Sequence, residues 1–178
     1  MRLFVAVDVD EAIKSRIDPL LSKLSALQGV KAVERENLHT TLIFLGEVEE
    51  GRVKDITSAL SSIRFKPFEI SLAGVGKFPE RGEARVVWIG IVENGELSEL
   101  AEKVYSELRK LGFKRDKDFI AHVTVARVKR RNKEVEKIIK EFEKAEFGKM
   151  LVKEFKLKQS ILKPSGPVYR DVEVFGCD

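Results

Sequence analysis

The sequence is short of several residue types that support common kinds of protein function. Among its 178 residues there is one cysteine, Cys177, which is next to the C-terminal residue. A single cysteine excludes a disulfide framework and a Cys-x-x-Cys metal site. No segment is apolar over the length of a membrane span, and Asp8 interrupts the N-terminal apolar run too early for a signal peptide. We therefore expect a cytoplasmic protein that does not enter a membrane.

Several catalytic and cofactor-binding motifs are also absent. The sequence has no Gly-x-Ser-x-Gly elbow, no Walker loop and no glycine-rich dinucleotide fingerprint. We accordingly expect no bound cofactor and no metal site. The 178 residues, of which 43% are hydrophobic and 35% charged, suffice for one good core but not for two. We expect a single domain over residues 1–178.

The only two histidines of the chain occupy matching places. Residues 37–46 and 119–127 are apolar and β-branched, as in buried strands, and each run contains His-x-Thr. Because side chains alternate along a strand, His39 shares a face with Thr41, and His122 shares a face with Thr124. A lone histidine in such a strand is most often a core or edge residue. Two histidines in the same motif favour one shared site instead.

The opposite faces of these two strands are apolar. The residues that alternate with the motifs are Leu38, Leu42, Phe44, Val123 and Val125. Such a face is expected to pack beneath helices, which leaves the His-Thr faces for a cleft. By strict alternation, Arg127 lies on the face opposite His122 and therefore away from the cleft. It can contribute only if the strand bulges or ends before it.

Basic residues cluster on both sides of the second motif: Lys114, Arg115, Lys117, Arg127, Lys129, Arg130, Arg131 and Lys133. A basic cluster beside a candidate site indicates an anionic ligand, with phosphate as the first choice. A solvated turn between a strand and a helix would have the same composition. Charge alone therefore leaves both interpretations open.

The order of predicted elements indicates an α+β protein. Besides the two histidine strands, the predicted elements are strands at 2–7, 30–33, 68–75, 84–92, 151–162 and 168–175, and helices beginning near Asp10, Glu50, Asn94 and Asn132. Pro19 is expected to kink or split the first helix, and the strands at 68–75 and 84–92 are expected to pair as a hairpin. The order is loosely duplicated. We predict two pseudo-symmetric lobes of mostly antiparallel sheet backed by helices, with the two motifs facing across a central groove.

Two facing histidines and two hydroxyls suit the hydrolysis of a phosphodiester. Imidazole titrates near neutral pH, so one histidine can accept a proton from the attacking water while the other protonates the leaving ribose oxygen. The threonine hydroxyls can donate hydrogen bonds to the non-bridging phosphate oxygens. Neither a metal ion nor a covalent intermediate is required. The residues alone do not say which histidine is the acid.

The motifs resemble those of a known family, the RNA 2′,3′-cyclic phosphodiesterases, also called 2′-5′ RNA ligases, of the two-histidine phosphoesterase superfamily. The stretches that carry the resemblance are residues 2–8, 37–48, 85–90, 121–127 and 160–169. The resemblance implies hydrolysis of a terminal 2′,3′-cyclic phosphate to a 2′-phosphate, with His39 as proton donor and His122 as proton acceptor. It also implies phosphate contacts from Thr41, Thr124 and Arg127.

Four further residues are candidates for substrate binding: Phe4, Arg130, Ser160 and Tyr169. The two aromatic rings could lie on the groove floor, stack a base or belong to the core. Trp88 is assigned to the core. The expected partner is RNA with a 2′,3′-cyclic phosphate end, tRNA fragments among them, and we expect a monomer. Two alternatives remain open, namely 2′-5′ ligation of tRNA halves and a nucleotide- or RNA-binding module without turnover.

Overall fold

Nine strands and four α-helices make up the chain in the computed structural model, which describes all of residues 1–178. The strands are β1 (Arg2–Asp8), β2 (Val30–Ala32), β3 (His39–Glu47), β4 (Phe68–Phe78), β5 (Val86–Val92), β6 (His122–Val128), β7 (Glu146–Val152), β8 (Glu154–Lys163) and β9 (Gly166–Gly176). The helices are α1 (Glu11–Ser25), α2 (Val53–Ser61), α3 (Glu96–Arg109) and α4 (Glu134–Phe142). Short 3₁₀ turns span Arg35–Asn37 and Glu50–Arg52.

The strands form two sheets, in both of which every neighbouring pair is antiparallel. The first sheet has the order β3-β1-β8-β9, and the second has the order β2-β6-β5-β4-β7. The two His-x-Thr motifs begin β3 and β6, which contact each other across the boundary between the sheets. The predicted α+β fold with two mostly antiparallel lobes is confirmed.

The helices cover the sheets and enclose one hydrophobic core. Helices α1 and α4 pack on strands of the second sheet, whereas α2 and α3 contact each other and reach β9 and β3 of the first. Forty buried hydrophobic residues form one contiguous cluster that includes residues of both sheets. Both histidine strands are therefore anchored, through their buried faces, in the same core.

Helix α1 begins as the sequence predicts but is not divided. The Asp10 side chain accepts a hydrogen bond from the Ile13 backbone N–H, 3.0 Å away, which satisfies one of the free donors of the first turn. The helix runs through Pro19 to Ser25, so the expected split does not occur. Its buried stripe, which includes Ile17, packs against the second sheet. No helix of the structure is long and apolar enough to cross a membrane.

The C-terminal third contains one strand more than predicted. The predicted strand 151–162 is two strands, β7 and β8, separated at Lys153. Strand β7 was missed because its buried residues Phe147 and Met150 are three apart, which breaks the period of two. The register of β7 against β4 shifts at this point, with Gly148 at φ 121°. The predicted hairpin of β4 and β5 is confirmed.

Candidate active site

A β-bulge in β3 changes which side chains share the face of the first motif. Thr41 lies opposite Ala6 and Ile43 lies opposite Val5, so Leu42 has no partner on β1. The extra residue reverses the alternation. Leu42 and Ile43 are both buried, and Phe44 returns to the face of His39 and Thr41 with 64% of its surface exposed. The prediction that Phe44 packs beneath helices is wrong.

Strand β6 carries the same bulge at the equivalent position. Thr124 lies opposite Trp88 and Ala126 lies opposite Val87, which leaves Val125 unpaired. Arg127 is therefore exposed on the face of His122 and Thr124, although strict alternation would put it on the other side. In each strand the residue five positions after the histidine returns to the motif face.

Both imidazoles are held in the same way. The Nδ1–H of His39 donates to the carbonyl of Asn37 at 2.6 Å, and that of His122 donates to the carbonyl of Ile120 at 2.7 Å. Each bond fixes the tautomer and leaves Nε2 for chemistry. His39 Nε2 lies 2.8 Å from Thr41 Oγ1, whereas His122 Nε2 has no hydrogen-bond partner in the protein.

Burial lowers the pKa of both histidines. For His39 the hydrogen bond to Asn37 partly opposes this effect, the charge of Lys158 lowers the pKa further and that of Asp8 raises it. The charge of His122 also lowers the pKa of His39, so the two rings are close enough to interact. For His122 the neighbouring charges are Lys117 and Arg127, both of which lower its pKa.

Aromatic rings surround each histidine. Phe4 and Tyr169 lie 5.2 Å and 5.4 Å from the His39 ring, measured between centroids, and Phe78 lies 5.3 Å from His122. Trp88 contacts Phe78 at 5.6 Å and stands opposite Thr124 in the sheet. Cross-strand partners share a face, so Trp88 lies on the groove floor and is only partly buried, not in the core as predicted.

Tyr169 connects the two halves of the groove. Burial raises the pKa of its hydroxyl, and the charges of Arg127, Lys158 and Arg2 lower it, so Arg127 of the second sheet lies near a side chain of the first. Ser160 stands between Arg2 and Tyr169 in the register of the first sheet and shares their face.

The turn that precedes Tyr169 is tied to both sheets. Lys31 Nζ, on β2, donates to the carbonyl of Ser165 at 3.2 Å. The side-chain amide of Asn37 donates to the carbonyl of Pro167 at 3.1 Å, directly before the first motif. These two bonds place the hairpin of β8 and β9 over one end of the groove.

The remaining basic residues lie beyond β6. Arg130 follows the strand, is exposed and packs its Cβ beside Gly29, with its backbone N–H donating to the Gly29 carbonyl at 3.1 Å. No hydrogen bond or ion pair joins its side chain to a groove residue. Arg131 is paired with Glu83, with 3.1 Å between nitrogen and oxygen.

Comparisons with known proteins identify the family of the chain. The sequence profile of the 2′-5′ RNA ligase superfamily matches residues 9–160. The chain belongs to this superfamily. An RNA 2′,3′-cyclic phosphodiesterase of Archaeoglobus fulgidus is 58% identical over 98% of this chain and 99% of its own length. Another, of Methanothermobacter thermautotrophicus, is 41% identical and covers 98% of each chain.

Two solved structures share the whole fold of this chain. The structure of TT0787 from Thermus thermophilus is 32% identical, has a TM-score of 0.87 and covers 99% of this chain and 97% of its own. Escherichia coli LigT in complex with 3′-AMP is 26% identical, with a TM-score of 0.83 and the same coverage. The two-sheet architecture of this chain is therefore shared with both proteins.

Sequence reasoning missed three groove residues of this superfamily member, namely Phe44, Phe78 and Trp88. Phe44 was predicted to lie on the buried face of its strand, because no residue near Leu42 indicates a β-bulge. The matched spacing of the two motifs offered the one usable signal, since a bulge that brings Arg127 into the groove implies the same for Phe44.

Proposed function

We propose that this chain hydrolyses the 2′,3′-cyclic phosphate at an RNA 3′ end to a 2′-phosphate, using His39 and His122 as an acid-base pair. The observation that carries the proposal is the matched geometry of the two histidines. Each comes from a different sheet, each donates Nδ1–H to a backbone carbonyl two residues earlier, and each is followed by a threonine on the same face.

In the proposed mechanism, His122 accepts a proton from water through Nε2, which has no partner in the protein. The water oxygen bonds to phosphorus, the bond from phosphorus to the ribose 3′ oxygen breaks, and His39 gives its Nε2 proton to that oxygen. The hydroxyl of Thr124 and the guanidinium of Arg127 are suited to hold the non-bridging oxygens as charge develops. Thr41, now 2.8 Å from His39 Nε2, can turn its hydroxyl to the phosphate when substrate is bound.

The enzyme class is supported by relatives that match this chain over nearly their whole length and carry the name RNA 2′,3′-cyclic phosphodiesterase. On that ground the chain is a cyclic phosphodiesterase. The finer assignments are part of the proposal: a single two-lobed domain over residues 1–178, a monomer, no metal ion, and RNA ends such as tRNA fragments as substrates. One chain supplies both histidines, so one copy is sufficient for turnover.

Ligation is the second candidate, favoured by the name of the superfamily. In this reaction a 5′-hydroxyl takes the place of water: its oxygen bonds to phosphorus, the bond to the ribose 3′ oxygen breaks, and a 2′-5′ bond forms. His122 would accept the proton of the 5′-hydroxyl and His39 would protonate the 3′ oxygen, as in hydrolysis. The same groove can perform both reactions because they share the leaving group and differ only in the nucleophile. The balance then depends on whether water or a 5′-hydroxyl reaches the phosphorus.

The test uses metal-free protein, a chelator and an oligoribonucleotide ending in a 2′,3′-cyclic phosphate. We expect a 2′-phosphate product at a rate that added divalent ions do not raise. The His122→Ala variant should form it at least about a hundredfold more slowly. A 3′-phosphate product or a dependence on metal would contradict the proposal. A 5′-hydroxyl oligonucleotide added to the same reaction detects ligation as a longer product. Tight binding without turnover would indicate a binding module.

A further inference from the structure

Four charged side chains form a closed ring on the groove face of the first sheet. Lys158 Nζ lies 2.9 Å from one oxygen of Asp8 and 3.0 Å from one oxygen of Asp171. Lys156 Nζ lies 2.8 Å and 2.9 Å from the other oxygens of the same two carboxylates. We call these four residues the charge ring. It joins β1, β8 and β9 through alternating charges whose sum is zero.

Residues of the charge ring lie beside His39 or beside the aromatic residues that contact it. Asp8 is the cross-strand partner of His39, and such partners have Cβ atoms about 4.5–5.5 Å apart. Lys158 is the cross-strand partner of Phe4, whose ring contacts His39. Asp171 lies two residues from Tyr169 on β9, and the Tyr169 ring contacts both the imidazole and the Phe4 ring.

The second sheet builds the equivalent positions without charge. Opposite His122, where Asp8 stands in the first sheet, the second sheet has Gly90. One strand further, the counterparts of Lys156 and Lys158 are Gly76 and Phe78. Trp88 lies across Gly76, where an added Cβ would be 2.3 Å from its ring. A groove floor of this shape therefore does not require charged residues.

Keeping these charges in place has a cost for folding. The Lys158 side chain is 7% exposed, and removing an ammonium group from water costs several kcal/mol before its partners compensate. Apolar replacements for buried ion pairs are often neutral or stabilising. A contribution to stability therefore does not explain the ring. Its position beside His39, a candidate catalytic residue, indicates a role in catalysis.

We propose that the charge ring positions His39 for its role as proton donor, by holding the Asp8 carboxylate beside the imidazole and balancing it with Lys158. The inference rests on the proposed function, in which His39 must be protonated while His122 is not. Of these two histidines in matching backbone frames, only His39 has the ring beside it, so only its charge state should depend directly on the ring.

The groups that face His39 come from four strands. Burial is the largest influence and lowers the pKa of His39. The charge of Lys158 on β8 lowers it further, Asp8 on β1 opposes Lys158, and His122 on β6 has a smaller lowering effect. Tyr169 on β9 is a neutral contact whose own pKa is raised by burial. Removing one positive charge from the ring leaves an excess negative charge near His39. Removing one negative charge does the opposite.

The test is an NMR titration of the imidazoles, which is simple because the chain has only two histidines. Lys158→Met is expected to shift the His39 titration to higher pH, and Asp171→Asn is expected to shift it to lower pH. The double variant, which loses one charge of each sign, should return it towards the wild-type position. His122, which has no ring beside it, serves as an internal reference that should move less than His39. Lys137→Met removes a lysine from an exposed ion pair on α4 and is the matched control.

Opposite shifts in the two single variants would not arise from a merely structural role. Shifts in the same direction, equal shifts of both histidines, or no shift in folded protein would overturn the proposal. The titration needs no turnover, so it remains decisive even if the wild-type protein fails to hydrolyse a cyclic phosphate. Where hydrolysis occurs, the alkaline limb of kcat/KM should move with His39 in each variant.

Discussion

Among changes to the catalytic histidines, His122→Ala is expected to slow catalysis with the smaller loss of folding stability. The substitution removes one hydrogen bond, from Nδ1 to the exposed carbonyl of Ile120, which water can replace, and one edge contact with the Phe78 ring. The expected loss of folding stability is therefore about 1–3 kcal/mol. Removal of a general base is expected to slow turnover about a hundred- to ten-thousand-fold, or about 2.7–5.4 kcal/mol of barrier.

The assay measures single-turnover hydrolysis of a 2′,3′-cyclic RNA end beside denaturant unfolding of the same preparations. His39→Ala should cost more stability, since this ring also loses the Thr41 bond and its contacts with Phe4 and Tyr169, each aromatic contact being worth about 0.5–1.5 kcal/mol. Because both histidines act in one step, the double variant should be little slower than the slower single variant. Near-normal turnover in His122→Ala, or losses that multiply in the double variant, would refute the mechanism.

Three further predictions use other parts of the groove. Burial lowers the pKa of both imidazoles, so kcat/KM should peak below pH 6.5, and a peak above pH 7 would contradict this. Folding stability should fall as pH drops below 6.5, because the unfolded chain then binds more protons than the folded chain. Arg127→Met should weaken RNA binding about ten- to a hundredfold and reduce its salt dependence. Arg131→Met is the control and should do neither, because Arg131 is already paired with Glu83. Binding can be followed by the fluorescence of Trp88, the only tryptophan of the chain. Gly76→Ala should lower the free energy of unfolding by about 1–3 kcal/mol, because the added Cβ would collide with the Trp88 ring. Gly51→Ala is the control: its Cβ would meet nothing within 4 Å, so the melting temperature should stay within a few degrees of the wild-type value.

The parts of the groove that could be predicted lie before the bulges. His39 and Thr41, and likewise His122 and Thr124, are separated by one residue of regular strand, so a period of two places each pair on one face. The buried partners Leu38 and Val123 follow from the same rule and are confirmed as buried. Local periodicity is reliable where the strand pairing is regular.

The parts that could not be predicted depend on pairing between distant strands. The bulges at Leu42 and Val125 follow from the registers with β1 and β5, and no residue type at either position demands them. They decide whether Phe44 and Arg127 face the groove. The charge ring was missed for the same reason, since Asp8 and Asp171 are brought together only by the sheet.

The assignment of strands to lobes was also beyond a reading of the chain in order. The expected duplication divides the sequence into consecutive halves, but the first sheet takes β1 and β3 from one end of the chain and β8 and β9 from the other. Propensity and periodicity indicate strands and not their partners, so a pattern of similar halves gave the correct fold class with the wrong composition of each lobe.

The central claim is that both histidines act on one phosphate, and a titration with a product tests it most directly. A 2′-nucleoside monophosphate is added to the metal-free protein while the two imidazole resonances are followed over pH, with His122→Ala assigning them. A dianion bound between the rings should raise the pKa of His39 and of His122 together. A rise in only one histidine, or in neither while the nucleotide is bound, would contradict a shared site.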